Sequence, residues 1–208
     1  PVCEYNAITA AKIAQEHFEA EFPLVIACQT LKGVLDEQPR KLIEGAMDDF
    51  QIFGGLPAKD KGRESEHIDQ LMLWAKDTGK RIHVHVDQLN HPSEKETELL
   101  ARKTTEHGLE GNVTAVHSIS LAAHPKAYRE EVYKICQDAN LSFITCPSAW
   151  IDHPRREDFV PSHNALTPVD ELIERGLTVA IGSDNICDVY KPFCDGDMIN
   201  ELRLLIDG

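Results

Sequence analysis

Three short stretches hold side chains that could do chemistry together. The first is Ile82-His83-Val84-His85-Val86-Asp87-Gln88. In an extended strand, alternate side chains point to opposite faces. That alternation predicts His83, His85 and Asp87 on one face and Val84 and Val86 on the other. Two imidazoles and a carboxylate on one strand face make a metal-binding or acid–base cluster. The second stretch, Val113-Thr114-Ala115-Val116-His117, ends in a histidine, and the third, Gly182-Ser183-Asp184-Asn185, carries a carboxylate. A His plus carboxylate set suits a hydrolytic zinc or iron ion with one position left open for water. Such an ion lowers the pKa of that water, and a nearby carboxylate takes its proton. Gln29, after an earlier apolar stretch, could hydrogen-bond a substrate amide.

These residues need strands to hold them, and the chain supplies six apolar segments of strand length. They are Leu24 to Cys28, Phe50 to Phe53, Ile82 to Val86, Val113 to Val116, Leu141 to Thr145 and Leu177 to Ile181. Amphipathic helical patterns run over Ile8 to Glu21, Pro39 to Asp48, Glu64 to Thr78, Ser93 to His107, Pro125 to Asn140, Pro168 to Arg175 and Asp197 to Ile206. Ser93 and Glu96 have the spacing of a capping box. Gly79, Gly108 and Gly176 stand where a left-handed helix end is wanted. Strand follows strand at roughly 30 residues, the size of a βα unit. The alternation implies a parallel sheet covered by helices. Both a doubly wound sheet and a (β/α)8 barrel fit it.

Two features favour the barrel. No GxGxxG follows the first strand, as a dinucleotide fold would require. Gln29, His85, His117, Ser148 and Asp184 all follow strand C-terminal ends, where barrel enzymes place their chemistry. Six strands are two short of eight, so the first two are expected to precede Pro1. The whole of 1–208 reads as one partial catalytic barrel domain. The segment from Ser148 to Thr167 is the longest irregular stretch, and loops of that length are usually functional.

Composition narrows the function. The chain has 21 Lys+Arg against 35 Asp+Glu, a formal charge of −14. That argues against nucleic-acid binding, which needs a basic face, and against an anionic membrane surface. No apolar run approaches the ~18 residues of a membrane span, and no leader peptide is visible. Six cysteines at positions 3, 28, 136, 146, 187 and 194 form no CxxC pair. They read as reduced thiols of a cytoplasmic protein, with packing roles. Cys146, Cys187 and Cys194 are expected to line or underlie the same strand ends as Asp184.

Taken in order, His85-Val86-Asp87-Gln88, Val113 to His117 and Ser183-Asp184-Asn185-Ile186-Cys187-Asp188-Val189-Tyr190-Lys191-Pro192-Phe193 resemble the amidohydrolase superfamily. The likeness is to its cytosine deaminase branch, which includes the isopropylammelide aminohydrolase of triazine breakdown, and it extends through Gly196-Asp197-Met198. The resemblance implies a distorted TIM barrel holding one divalent metal ion, Fe or Zn. His85 would be a metal ligand, and Asp184 both a metal ligand and the general base. His117 would polarise the attacking water or the substrate, and Gln29 would contact the ring amide. Gln88 would stand at a catalytic position where cytosine deaminases have a proton-shuttling Glu. A neutral amide cannot carry a proton there, so Asp87 becomes a substrate-contacting candidate and an alternative shuttle. His83 has no family counterpart. The family's first-strand His-x-His pair and its small β-domain are absent from the chain.

The leading expectation is a metal-dependent hydrolase of a C–N bond in a small cyclic amide or amidine, pyrimidine- or triazine-like. The rival is a catalytically incomplete barrel without metal, stable as a homo-oligomer that covers its open strand edges. A phosphate-binding aldolase fits less well, because no strand ends in Lys and Gly182 stands nearly alone.

Overall fold

The computed structural model describes residues 5–150 and 166–208. Its six strands are β1 (Ala27–Cys28), β2 (Ile52–Gly55), β3 (Arg81–Val86), β4 (Val113–His117), β5 (Ser142–Thr145) and β6 (Thr178–Ile181). They follow one another in sheet order as in sequence, and the pairs β1–β2, β2–β3, β4–β5 and β5–β6 are parallel. Helices α1 (Tyr5–Phe18), α2 (Glu37–Glu44), α3 (Glu64–Thr78), α4 (Glu96–His107), α5 (Lys126–Asp138), α6 (Pro147–Trp150), α7 (Val169–Glu174) and α8 (Met198–Asp207) alternate with them. This is the architecture of an incomplete α/β barrel, the alternative that the residues at the strand ends favoured. No helix among the described residues is long and apolar enough to cross a membrane.

The chain divides into two compact units. The first comprises Pro1–His85 and Lys103–Val113; the second comprises Val86–Arg102 and Thr114–Gly208.

In the first unit, the sheet face toward α3 forms the core. Phe53, Ile82 and Val84 are fully buried, as are Ile68, Leu71 and Met72 of α3. Phe50 meets Phe53 edge to face at 5.0 Å, and Phe53 stacks on Trp74 at 5.7 Å. Backbone approach at β2 is close. A Cβ on Gly54 would lie 2.6 Å from the Gln29 Cβ, and one on Gly55 would lie 2.3 Å from the Leu71 Cδ1. β1 is shorter than its apolar run suggests. The Ile26 N–H is taken by the Gln51 side chain at 2.9 Å, and only Ala27 and Cys28 join the ladder.

A buried pair braces the end of β2. Asp60 accepts from the Val34 N–H at 2.8 Å and meets His67 Nδ1 at 2.6 Å. His67 Nε2 accepts the Leu56 N–H at 3.1 Å, and His67 is fully buried. Burial holds the His67 ring below its ordinary pKa, with Asp60 opposing.

In the second unit, Ala115, Leu141 and Phe143 are buried, as are Val132, Tyr133 and Cys136 of α5 and Leu172 of α7. Arg129 grips Glu171 through two hydrogen bonds, and the Tyr133 hydroxyl donates to Glu171 at 2.7 Å. These bonds, Arg129 foremost, pull the Glu171 carboxyl down to about 2. The charged cluster thus ties α5 to α7, and α7 lies against β6.

Candidate active site

β3 obeys the expected alternation up to Val86. Ile82, Val84 and Val86 are fully buried, while His83 and His85 are half-buried on the opposite face. His85 is held neutral, its pKa pushed down to about 4 by burial and then by His83; burial and then Arg81 lower His83 too. A neutral imidazole is the form that ligates a metal. His85 and Gln29 belong to the first unit, and Asp87, Gln88, His117 and Asp184 to the second.

Asp87 departs from the predicted alternation. The strand ends at Val86, and Asp87 takes a left-handed backbone, φ 54°. Its side chain is buried instead of sharing the histidine face. Its carboxylate accepts the backbone N–H of Glu96 at 2.7 Å and of Thr97 at 3.1 Å. The Glu96 carboxylate reaches back to the Asp87 N–H at 3.1 Å. This reciprocal arrangement caps α4, the role expected of Ser93. Ser93 Oγ lies instead 2.7 Å from His91 Nδ1, because α4 begins only at Glu96. Periodicity could not reveal the cap, because the capping residue belongs to the strand rather than to the helix. Gln88, next along, is half-buried.

His117 ends β4 and is buried, also in the left-handed region at φ 75°, with Ser118 following at φ 52°. The loops after β3 and β4 are stitched together around it. Ser118 N donates to the Val86 carbonyl at 3.0 Å, Ser120 N to the Asp87 carbonyl at 3.1 Å, and Thr97 Oγ1 to Ser118 Oγ at 3.0 Å. The Thr167 hydroxyl donates to the His117 carbonyl.

Asp184 follows β6 and has φ 59°. It is exposed, yet partial desolvation pushes its carboxyl above the usual range, with Asp188 and Glu201 adding to the effect and Lys191 opposing it. Thus Asp87, His117 and Asp184 all leave parallel strands in a conformation that costs non-glycine residues of order 1 kcal/mol or more, a feature that clusters at functional sites.

Glu201 escaped the sequence reading. It lies on α8, is buried, and accepts Ser148 N–H at 3.0 Å through Oε2. Its Oε1 lies 3.8 Å from the Cys194 Sγ, which also faces the Ser183 carbonyl at 3.5 Å. Glu201 therefore links the turn after β5 to the loop after β6. A carboxylate amid Met198, Ile199, Leu202 and Leu205 was the available signal. The expected neighbourhood of cysteines is present: Cys146 is buried, and a Cβ on Gly182 would lie 3.2 Å from its Sγ. His153 and His163, and most of the long segment from Ser148 to Thr167, lie outside the described residues.

No protein-family model matches the sequence. A protein of Haemophilus influenzae described as uncharacterized is 48% identical over 176 residues, covering 83% of this chain and 64% of that one. The N-isopropylammelide isopropyl amidohydrolase of a Pseudomonas species is 26% identical over 201 residues, 95% of this chain and 47% of that one. The crystal structure of 5-methylcytosine deaminase from Klebsiella pneumoniae, liganded with 5-fluorocytosine, shares the fold. Its TM-score is 0.90 at 24% identity, over 98% of this chain and 50% of that one. This chain is a homologue of the amidohydrolase-family deaminases. It spans about half the length of that amidohydrolase and of that deaminase.

The family resemblance implies a divalent metal, and the residues fit it in part. The neutral His85 imidazole and the Asp184 carboxylate are suitable donor types. A catalytic site usually takes three protein ligands, and among the described residues no group of three His, Cys, Asp or Glu side chains is gathered to hold an ion.

Proposed function

We propose that the protein is a metal-dependent hydrolase of the deaminase/aminohydrolase kind, acting on a C–N bond of a small cyclic amide or amidine, pyrimidine- or triazine-like. The observation that carries this reading is the pair His117 and Asp184, each in a left-handed backbone at the C-terminal end of its strand, in a homologue of amidohydrolase-family deaminases. A divalent ion, Fe or Zn, with His85 and Asp184 among its ligands, would supply a water of lowered pKa.

The remaining steps belong to the side chains. Asp184, its carboxyl already biased toward holding a proton, accepts the proton of the attacking water and returns it to the departing nitrogen. His117 stabilises the oxyanion that develops at the attacked carbon. Gln88 and Gln29 offer neutral hydrogen bonds to ring nitrogens and carbonyls. The Asp87 carboxylate is engaged by two backbone donors, and its contribution is to hold the turn that carries Gln88. We place residues 1–208 within one catalytic barrel domain of a cytoplasmic enzyme.

The test is turnover of a panel of pyrimidine and triazine substrates by the purified protein reconstituted with Zn(II) or Fe(II). Ammonia or amine release is expected, falling by about 10²–10⁴-fold in Asp184→Asn. Unchanged turnover in Asp184→Asn, or no C–N hydrolysis across the panel, overturns the reading.

A further inference from the structure

The loop after β6 holds two thiols brought together by their own backbones. The Cys187 N–H donates to the Cys194 carbonyl at 2.7 Å, and the Cys187 Sγ lies 3.2 Å from the same oxygen. Cys187 is exposed, while Cys194 is half-buried behind it. Disulfides need Cα atoms about 4.4–6.8 Å apart, and the backbone hydrogen bond between the two residues holds their Cα atoms close to that range. The Cys194 Sγ faces the Ser183 carbonyl at 3.5 Å, the Ser148 hydroxyl at 3.6 Å and Glu201 Oε1 at 3.8 Å. Thiol hydrogen bonds are weak, so rotation of that side chain toward Cys187 has little to oppose it. Cys136 and Cys146 are buried and therefore poorly placed to meet a dissolved oxidant.

We propose that Cys187 and Cys194 form a dithiol pair that a hydroperoxide oxidises to a disulfide. The exposed Cys187 thiolate attacks the peroxide oxygen, giving a sulfenic acid and releasing the other oxygen as water or alcohol. The Cys194 thiolate then attacks the sulfenic sulfur, the S–S bond forms, and hydroxide leaves as water with the thiol proton. Two thiols lose two hydrogens and two electrons, and the hydroperoxide is reduced. The loop from Cys187 to Cys194 is thereby closed, and the Cys194 sulfur leaves Ser183 and Glu201. Ser183 adjoins Asp184, so oxidation is expected to lower turnover severalfold, reversibly with dithiothreitol. That last consequence rests on the proposed hydrolase activity; the cross-link does not.

The experiment is treatment of the reduced protein with hydrogen peroxide, followed by alkylation and tryptic mapping. Lys191 precedes Pro192 and resists trypsin, so the peptide spanning 176–203 contains both cysteines and no others. That peptide is expected two hydrogens lighter, closed to alkylation, and restored by dithiothreitol. Cys187→Ser, at an exposed position, is expected to abolish the two-hydrogen loss without altering the fold, read by circular dichroism. A cross-link from Cys194 to the peptide holding Cys146 would overturn the proposal. So would sulfinic acid at Cys187 with Cys194 still free, or thiols left intact at a peroxide dose that fully oxidises glutathione. Loss of turnover without the cross-link would discredit only the link to activity.

Discussion

At the residue scale, two side chains invite measurement. Asp184 stands exposed at a strand end with its carboxyl raised, first by partial desolvation and then by Asp188 and Glu201. The proposed function makes it the proton acceptor, and the Asp184→Asn comparison tests that role. His67 is buried, and its Nε2 must stay unprotonated to accept the Leu56 N–H. Its folded pKa is depressed below the ordinary 6.5. The unfolded chain therefore binds more protons than the folded chain once pH falls below that value, and stability drops with it. Urea denaturation at pH 7.5 and pH 5 is expected to show this loss in the wild type. The loss should be smaller in His67→Gln, the difference isolating this ring from His83, His85 and His124, which are also held low.

At the scale of elements, the turn from β3 into α4 hangs on Asp87. Asp87→Ala leaves the Glu96 and Thr97 N–H groups without their acceptor. An ordinary lost cap costs about 1 kcal/mol, and each buried unsatisfied donor about 1–3 kcal/mol. A destabilisation of about 2–4 kcal/mol is expected by urea denaturation, with amide exchange accelerated across the first turn of α4. β2 makes a different demand. A Cβ on Gly55 would strike Leu71 at 2.3 Å and press on His67 Nε2 and Val84 at 3.3 Å. Gly55→Ala is expected to lose about 1–3 kcal/mol through overpacking, read as a lowered Tm. Register explains why: Gly55 lies opposite Val84, under α3.

At the scale of the whole molecule, charge and surface dominate. With a formal charge of −14, the protein is expected to pass unretained through heparin at about 0.15 M salt, where a phosphate binder would be held. Retention there would contradict the reading of a small-molecule enzyme. The second unit also exposes Val189, Tyr190, Phe193 and Ile199, with Phe193 97% exposed.

Much of this was legible in the residues. All six strands fall within one to three residues of their apolar runs, because a strand buried on one or both faces must be built from β-branched and aromatic residues. α3 runs from Glu64 to Thr78 as its pattern predicts, and Gly79 closes it in the left-handed region. His85, His117 and Asp184 stood out because ligand-type residues at the ends of apolar strands have no packing reason to be there. What the tertiary structure alone decided were pairings of polar groups that no strand or helix period connects. The capping of α4 from the end of a strand, the Asp60–His67 brace, Glu201 bridging two loops and the approach of Cys187 to Cys194 are all of this kind. Periodicity reports which face of an element is buried. It carries no record of which polar group on another element will satisfy a buried donor, and that is settled only when the chain closes on itself.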